Sequence, residues 1–306
     1  MFDATKPGGA LEGLNRLVKE FLDGPANHSS MPEEGETVLG PALTGVAAGH
    51  DPIWLEFKEA VHPDHWTPRE AFQLAFPQAG PVEPSELSVF SWVLPQTERT
   101  RRDQRRARDF PAERWVRTRF LGQPLVNDAL AVFLVENLAR AGVLAVSPDQ
   151  LPAFGRRESE RFLIASTWSQ RHAAFAAGLG SFGLCDGLIT AVGKAMRCGS
   201  VLVRLELPAT PRPYSHYREY CLYYNSPGTC GLCIPRCPAG AISPRGHDKK
   251  LCRPYTEFQS RDYVRAQWPE LDGAYGCGLC QVAVPCEKGI PPRPEKKPGL
   301  KREESA

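Results

Sequence analysis

The sequence predicts an α/β (α+β) domain followed by a small cysteine-rich module. Three observations predict it. Helix-like and strand-like periodicities are interspersed through roughly the first 200 residues. No cysteine occurs before Cys185, and eight of the ten fall between Cys221 and Cys286. The proline-broken stretch Leu207-Pro208-Ala209-Thr210-Pro211-Arg212-Pro213 lies at that change in composition and marks a boundary.

In chain order, Leu11, Leu14, Leu17, Val18, Phe21 and Leu22 recur at helical spacing. Residues 24–50 are rich in glycine, proline and small side chains and read as a long loop. The run Leu87–Leu94 alternates and stops at Pro95, which reads as a strand. Leu130, Phe133, Leu134 and Leu138 share a helical face, with Gly142 where a C-cap belongs. A further helix is expected over Trp168–Ala177, and a strand over Val201–Leu207, ended by Pro208. Residues 291–306 are proline- and charge-rich and read as a disordered tail. The expected units are an N-terminal region over 1–84, the α/β domain over 85–213, the cysteine module over 214–290 and the tail.

Apolar residues make up 42% and charged residues 24%, the profile of a soluble globular chain. A formal net charge of +2 creates no global field toward nucleic acid or anionic lipid, and neither is expected as a partner. The N-terminal text MFDATKPGGALEGLNRLVKEF has no apolar core of a signal peptide, and no run of about 18 apolar residues follows. A cytoplasmic protein is expected. In that compartment ten cysteines do not read as a disulfide framework, so metal ligation explains them better.

The cysteine text is Cys230-Gly231-Leu232-Cys233-Ile234-Pro235-Arg236-Cys237-Pro238, with Cys221 upstream and Cys252, Cys277, Cys280 and Cys286 downstream. A C-x2-C step lets two thiolates on one tight loop reach neighbouring irons, and a cysteine before proline ligates the other cube in two-cluster ferredoxins. One 4Fe-4S cluster then takes Cys221, Cys230, Cys233 and Cys286, and the other Cys237, Cys252, Cys277 and Cys280. This is a ferredoxin-like module with two 4Fe-4S clusters and no thiolate left over. A zinc ribbon built on the two C-x2-C pairs is the competing reading, and it leaves four of the eight cysteines idle.

The cysteine order, together with Ala177-Gly178-Leu179-Gly180-Ser181-Phe182-Gly183, resembles the epoxyqueuosine reductase family. These are cytoplasmic cobalamin and iron–sulfur enzymes related to reductive dehalogenases. The resemblance covers most of residues 85–287. It implies a nitroreductase-like cobalamin-type domain, electron flow from the clusters to a corrinoid, and from there to a substrate. It also implies a low-potential donor such as a ferredoxin or flavodoxin, and a small-molecule or modified-nucleoside substrate. The family carries an acidic proton donor about fifteen residues before A-G-L-G; here Ile164, Ala165, Ser166 and Thr167 occupy that neighbourhood, and Glu158 and Glu160 lie further upstream. That departure points to a side branch with another substrate.

Gly178, Gly180, Ser181 and Gly183 are the candidates to pass close to a flat macrocycle, with Thr190, Lys194 and Arg197 as further candidate contacts to corrin amides or a substrate anion. A turn after a helix and a solvated loop explain the same residues. The stretch follows no expected strand, which disfavours a Rossmann dinucleotide site. His172 is the candidate catalytic residue, against the plainer reading of a capped or surface histidine. Cys185 and Cys198 read as small buried hydrophobes. The arginine-rich run Glu98–Arg108 reads as a solvated helix face rather than an RNA contact. The leading function is a cobalamin-dependent iron–sulfur oxidoreductase. The alternatives are a ferredoxin-like electron carrier without corrinoid and a zinc-stabilised RNA-binding protein.

Overall fold

The structure, a computed structural model, describes residues 7–28, 31, 35–160, 162–226 and 230–293. Of the tail expected over 291–306, all but the first three residues lie outside that set. The helices are α1 (Pro7–Asp23), α2 (Ile53–Ala60), α3 (Pro68–Ala75), α4 (Glu98–Arg106), α5 (Glu113–Phe120), α6 (Ala129–Arg140), α7 (Gln170–Ala176), α8 (Leu222–Asn225), α9 (Lys249–Pro254) and α10 (Ser260–Gln267). The strands that position the site are β1 (Leu43–Ala48), β2 (Ser88–Pro95), β3 (Ala145–Val146), β4 (Arg156–Ser159), β5 (Leu163–Ser166), β6 (Gly180–Phe182), β7 (Leu188–Thr190) and β8 (Met196–Val203).

The central sheet has the order β1-β2-β8-β3, antiparallel throughout. β2 is buried along its whole length because both faces of the sheet are covered. Its side chains alternate between two cores, as a strand's must. Val89 and Val93 pack with Trp54, Phe57, Phe72, Trp168 and Phe175 on one side. Phe90, Trp92 and Leu94 pack with Leu14, Val18, Leu130, Leu134 and Leu138 on the other. Thus α1 and α6 cover one face, and α2, α3 and α7 the other.

α1 and α6 form where their apolar spacing places them, and Gly142 ends α6 with φ +76°. Two expectations are corrected. The stretch read as loop contains β1, whose small residues hide the strand signal: a Cβ at Gly45 would lie 2.4 Å from the Ala177 carbonyl, under the end of α7. The strand expected over Val201–Leu207 instead spans Met196–Val203. Its first half escapes notice because Arg197, Cys198 and Gly199 interrupt the apolar run, and Gly199 is required there by the Trp92 ring, which a Cβ would approach to 2.2 Å.

The cysteine-bearing segment docks on α4 and α5. The Gln104 side chain donates to the Cys277 carbonyl at 2.7 Å, and Arg236 donates to the carbonyls of Ala107 and Leu279 at 3.0 and 3.2 Å. Arg105 and Arg101 pair with the buried Glu287, whose other oxygen accepts the Ala283 N–H. The arginine run is therefore a helix, as expected, but part of its charge anchors the C-terminal segment rather than facing solvent. No helix among the described residues is long and apolar enough to cross a membrane.

Candidate active site

Tight turns bring the cysteines together. Gly231, at φ +147°, opens the turn in which Ile234 N–H reaches the Gly231 carbonyl and Cys237 N–H the Ile234 carbonyl. The Ala241 N–H then donates to Cys237 Sγ at 3.3 Å. Gly278, at φ +67°, caps the turn carrying Cys280 and lies against Trp115, which leaves no room for a Cβ. The eight thiols line two separate cavities. Cys221, Cys230, Cys233 and Cys286 line the tighter one, about 20 Å³, and Cys237, Cys252, Cys277 and Cys280 line the other, about 200 Å³. Cys185 joins the second set.

Neither cavity has a carboxylate in its wall, whereas Lys194 lines the first and Arg119, Arg171 and Arg197 line the second. Burial pushes the Arg197 guanidinium down to about 9, and its Nε is buried with no hydrogen-bond partner among the described residues. The buried Lys194 and the half-buried Arg197 and Arg119 beside thiol sets without a carboxylate suit an anionic group carried by thiolates, so the donor chemistry fits iron–sulfur clusters. Among the described residues, no three His, Cys, Asp or Glu side chains converge on one metal ion. Four sulfurs on one zinc crowd within about 4 Å of each other. A cube instead takes one thiolate at each of its four corners.

A third cavity, about 940 Å³, lies between α2, β5, α7 and the segment 209–218. Phe57, Phe162, Phe175 and Phe182 supply its apolar wall, and Arg171, His172, Asp186 and Lys249 its polar one. His172 Nδ1 lies 2.8 Å from Ser169 Oγ, and its ring packs between Phe57 and Phe182. Burial holds its pKa well below the usual value, with His65 and Arg171 acting in the same direction, so the imidazole is neutral. Behind it, the fully buried His65 accepts the Ser169 N–H at Nε2, 3.2 Å away, and stacks on Trp168. Burial lowers the His65 pKa to about 4.

The large cavity and the second cysteine cavity share the Arg171 side chain. They are also joined by a hydrogen bond of 3.2 Å between Asp186 Oδ2 and His247 Nδ1. Burial alone would lower the His247 pKa; hydrogen bonds to Asp186 and Cys252 outweigh it and raise it to about 9. Asp186 adopts φ +56°, a conformation aspartate tolerates better than most residues.

The glycine-run candidates do not line the large cavity. A Cβ at Gly178 would lie 2.7 Å from the Pro211 carbonyl oxygen, and one at Gly180 2.2 Å from that of Ile189. Ser181 Oγ accepts the Tyr220 N–H, and Thr190 Oγ1 donates to the Gly193 carbonyl. Gly183 lines the first cysteine cavity and Arg197 the second. Gly178, Gly180, Ser181 and Thr190 are engaged in close backbone packing and hydrogen bonds that hold the chain leading into Cys221. His172, by contrast, does face the large cavity. Where the family's acidic donor was sought, Ala165 and Ser166 line the wall, and Glu158 and Glu160 are exposed elsewhere. Asp186, Arg171 and Lys249 went unnoticed in the sequence because each stands alone, without a spaced partner, whereas Lys194 was read with Thr190 and Arg197 and lies instead in the wall of the first cysteine cavity.

No family model matches the chain. A curated epoxyqueuosine reductase from Francisella cf. novicida (strain Fx1) is 30% identical over 131 residues, 42% of this chain and 34% of that protein. The chain is similar, at modest identity, to epoxyqueuosine reductases. The chain aligns with about a third of the length of that curated relative. A solved reductive dehalogenase, whose structure is described as suggesting a mechanism for B12-dependent dehalogenation, shares its fold with a TM-score of 0.52 at 14% identity. That match covers 94% of this chain and 33% of the other. An epoxyqueuosine reductase solved with a tRNA-Tyr epoxyqueuosine-modified stem loop is 16% identical, with a TM-score of 0.40, over 91% of this chain and 67% of that one.

Proposed function

We propose that the chain is a cobalamin-dependent iron–sulfur oxidoreductase whose ferredoxin-like module, residues 214–290, holds two 4Fe-4S clusters. The observation that carries this reading is the sorting of eight cysteines into two carboxylate-free cavities, one of which shares a wall with a 940 Å³ cavity. Cys221, Cys230, Cys233 and Cys286 would hold one cluster, and Cys237, Cys252, Cys277 and Cys280 the other. Electrons from a low-potential donor such as a ferredoxin or flavodoxin would pass through them to the large cavity.

That cavity is at the upper end of the size range of small-molecule and cofactor sites, which supports it as the place where a corrinoid would bind against the phenylalanines. When bound, a corrinoid supplies a strongly reducing centre for substrate reduction. The chain's own part is to exclude water with its phenylalanines, to shield charge with Arg171 and Lys249, and to hold protons. Ser169 fixes the His172 ring through Nδ1, leaving Nε2 without a hydrogen-bond partner among the described residues. Asp186, hydrogen-bonded to His247, is the carboxylate at the junction with the second cysteine cavity. The Asp186–His247 pair, whose imidazole keeps its proton because its pKa is raised to about 9, is the candidate proton donor in place of the acidic residue that the wall at Ala165 and Ser166 lacks, and the neutral His172 is the candidate hydrogen-bonding residue.

The substrate is a small molecule or a modified nucleoside, and the reaction takes place in the cytoplasm. The expectation that nucleic acid is not a partner is withdrawn, because an epoxyqueuosine reductase has been solved with a tRNA stem loop. The plain electron carrier leaves the 940 Å³ cavity beside the second cysteine set without a purpose. Gel filtration of anaerobically purified protein with added hydroxocobalamin tests the choice. Co-elution of corrin absorbance supports the enzyme; a protein with about eight irons that retains no corrin is the carrier.

A further inference from the structure

Lys194 is 3% exposed, and its surroundings fix it firmly. Gly193 before it has φ +90° and so little room that a Cβ would lie 1.9 Å from the Glu287 carbonyl oxygen. The Lys194 N–H donates to the Cys286 carbonyl at 3.0 Å. Its Nζ lies 3.3 Å from Cys185 Sγ. Cys185, itself 6% exposed, belongs to a buried cluster that also holds Cys233, with Cys280 packed against it. Those two thiols belong to different sets. The Lys194–Cys185 pair therefore lies between the two cysteine cavities, with Lys194 in the wall of the first and Cys185 in the wall of the second.

A buried ammonium costs several kcal/mol unless a counter-charge faces it. No carboxylate within salt-bridge distance of Lys194 occurs among the described residues, and the groups that face it are the thiols of Cys185, Cys286, Cys280 and Cys233. Eight cysteines already fill two cubes, so Cys185 is a ninth sulfur placed where no cluster ligand is needed. A positive charge adjoining two clusters favours the reduced, more negative state of each, and hence raises their potentials.

We propose that Lys194, held against Cys185, is a positioning residue for electron transfer whose fixed charge raises the potential of the clusters on either side of it. The inference rests on the reading that the two cysteine sets hold clusters. One electron, supplied by a low-potential donor such as reduced ferredoxin, enters one cluster and passes to the other. No bond forms or breaks, and no proton moves at Lys194.

The test is a dye-mediated redox titration, followed by electron paramagnetic resonance, of anaerobically purified wild type and Lys194→Met, each with its iron content measured. Wild type with far fewer than about eight irons overturns the cluster reading itself, and this inference with it. With both proteins holding about eight irons, the inference expects the Lys194→Met clusters to be harder to reduce by tenfold or more, a downward shift of about 59 mV per tenfold for one electron. Unchanged or higher potentials overturn the inference and leave the cluster reading standing. If Lys194→Met holds no iron, Lys194→Arg decides. Retention of both clusters at wild-type potentials supports the role of charge. An Lys194→Arg protein as iron-poor as Lys194→Met overturns it in favour of packing.

Discussion

Lowering the pH from 7.5 to 5.5 is expected to cost the fold about 1.4 kcal/mol through His65 alone. His65 is fully buried, and its native pKa is lowered to about 4 from an ordinary 6.5, chiefly by burial. A depressed native pKa means that the unfolded chain takes up the proton first. Stability is therefore complete above pH 6.5 and falls as the pH drops toward 4. His172, also lowered by burial, acts in the same direction. His65→Phe isolates the first contribution: it keeps a ring on Trp168 but removes the acceptor of the Ser169 N–H. At pH 7.5 the variant is expected to be less stable by about 1–3 kcal/mol, the cost of an unsatisfied buried donor. At pH 5.5 the gap closes by about 1.4 kcal/mol, or about 2 °C in melting temperature. Thermal melts of both proteins at the two pH values measure it. A gap that does not change with pH refutes the reasoning, because it would mean that His65 titrates alike in folded and unfolded chains.

Cys230→Ser and Cys252→Ser are each expected to lose about four of eight irons, with different residual spectra, and the double variant to lose nearly all. Iron analysis after anaerobic purification checks this. Cys185→Ser, by contrast, should keep about eight. Glu287→Gln weakens the pairing with Arg101 and Arg105 beneath the Cys280–Cys286 turn and should cost about 3 kcal/mol in urea unfolding. Gly199→Ala drives a methyl group into the Trp92 ring and should lower stability by about 1–3 kcal/mol, read from the melting temperature.

What could be read from the chain and what could not follow from the range of the interactions. α1, α6 and β2 announced themselves because their apolar spacing is local and uninterrupted. β1 did not, since Gly45 and its small neighbours are dictated by α7, which follows more than a hundred residues later. The division of the eight cysteines into two sets came from spacing, and the structure lines two cavities with the same two sets. The glycine run was visible, but its purpose was not: whether a glycine lies under a macrocycle or under a carbonyl depends on Pro211 and Ile189, which no local pattern connects to it. The polar wall of the large cavity was equally hidden, because Arg171, Asp186 and Lys249 meet only through the fold. His172 was noticed, but its partners His65 and Ser169 became evident only in three dimensions.

The central claim is that two cysteine sets hold two four-iron clusters beside a cofactor-sized cavity. Anaerobic purification followed by an ultraviolet–visible spectrum and iron, cobalt and zinc analysis tests it most directly. The account predicts a brown protein with about eight irons per chain and a broad charge-transfer band that bleaches with dithionite. A colourless protein that carries zinc after the same handling would contradict it.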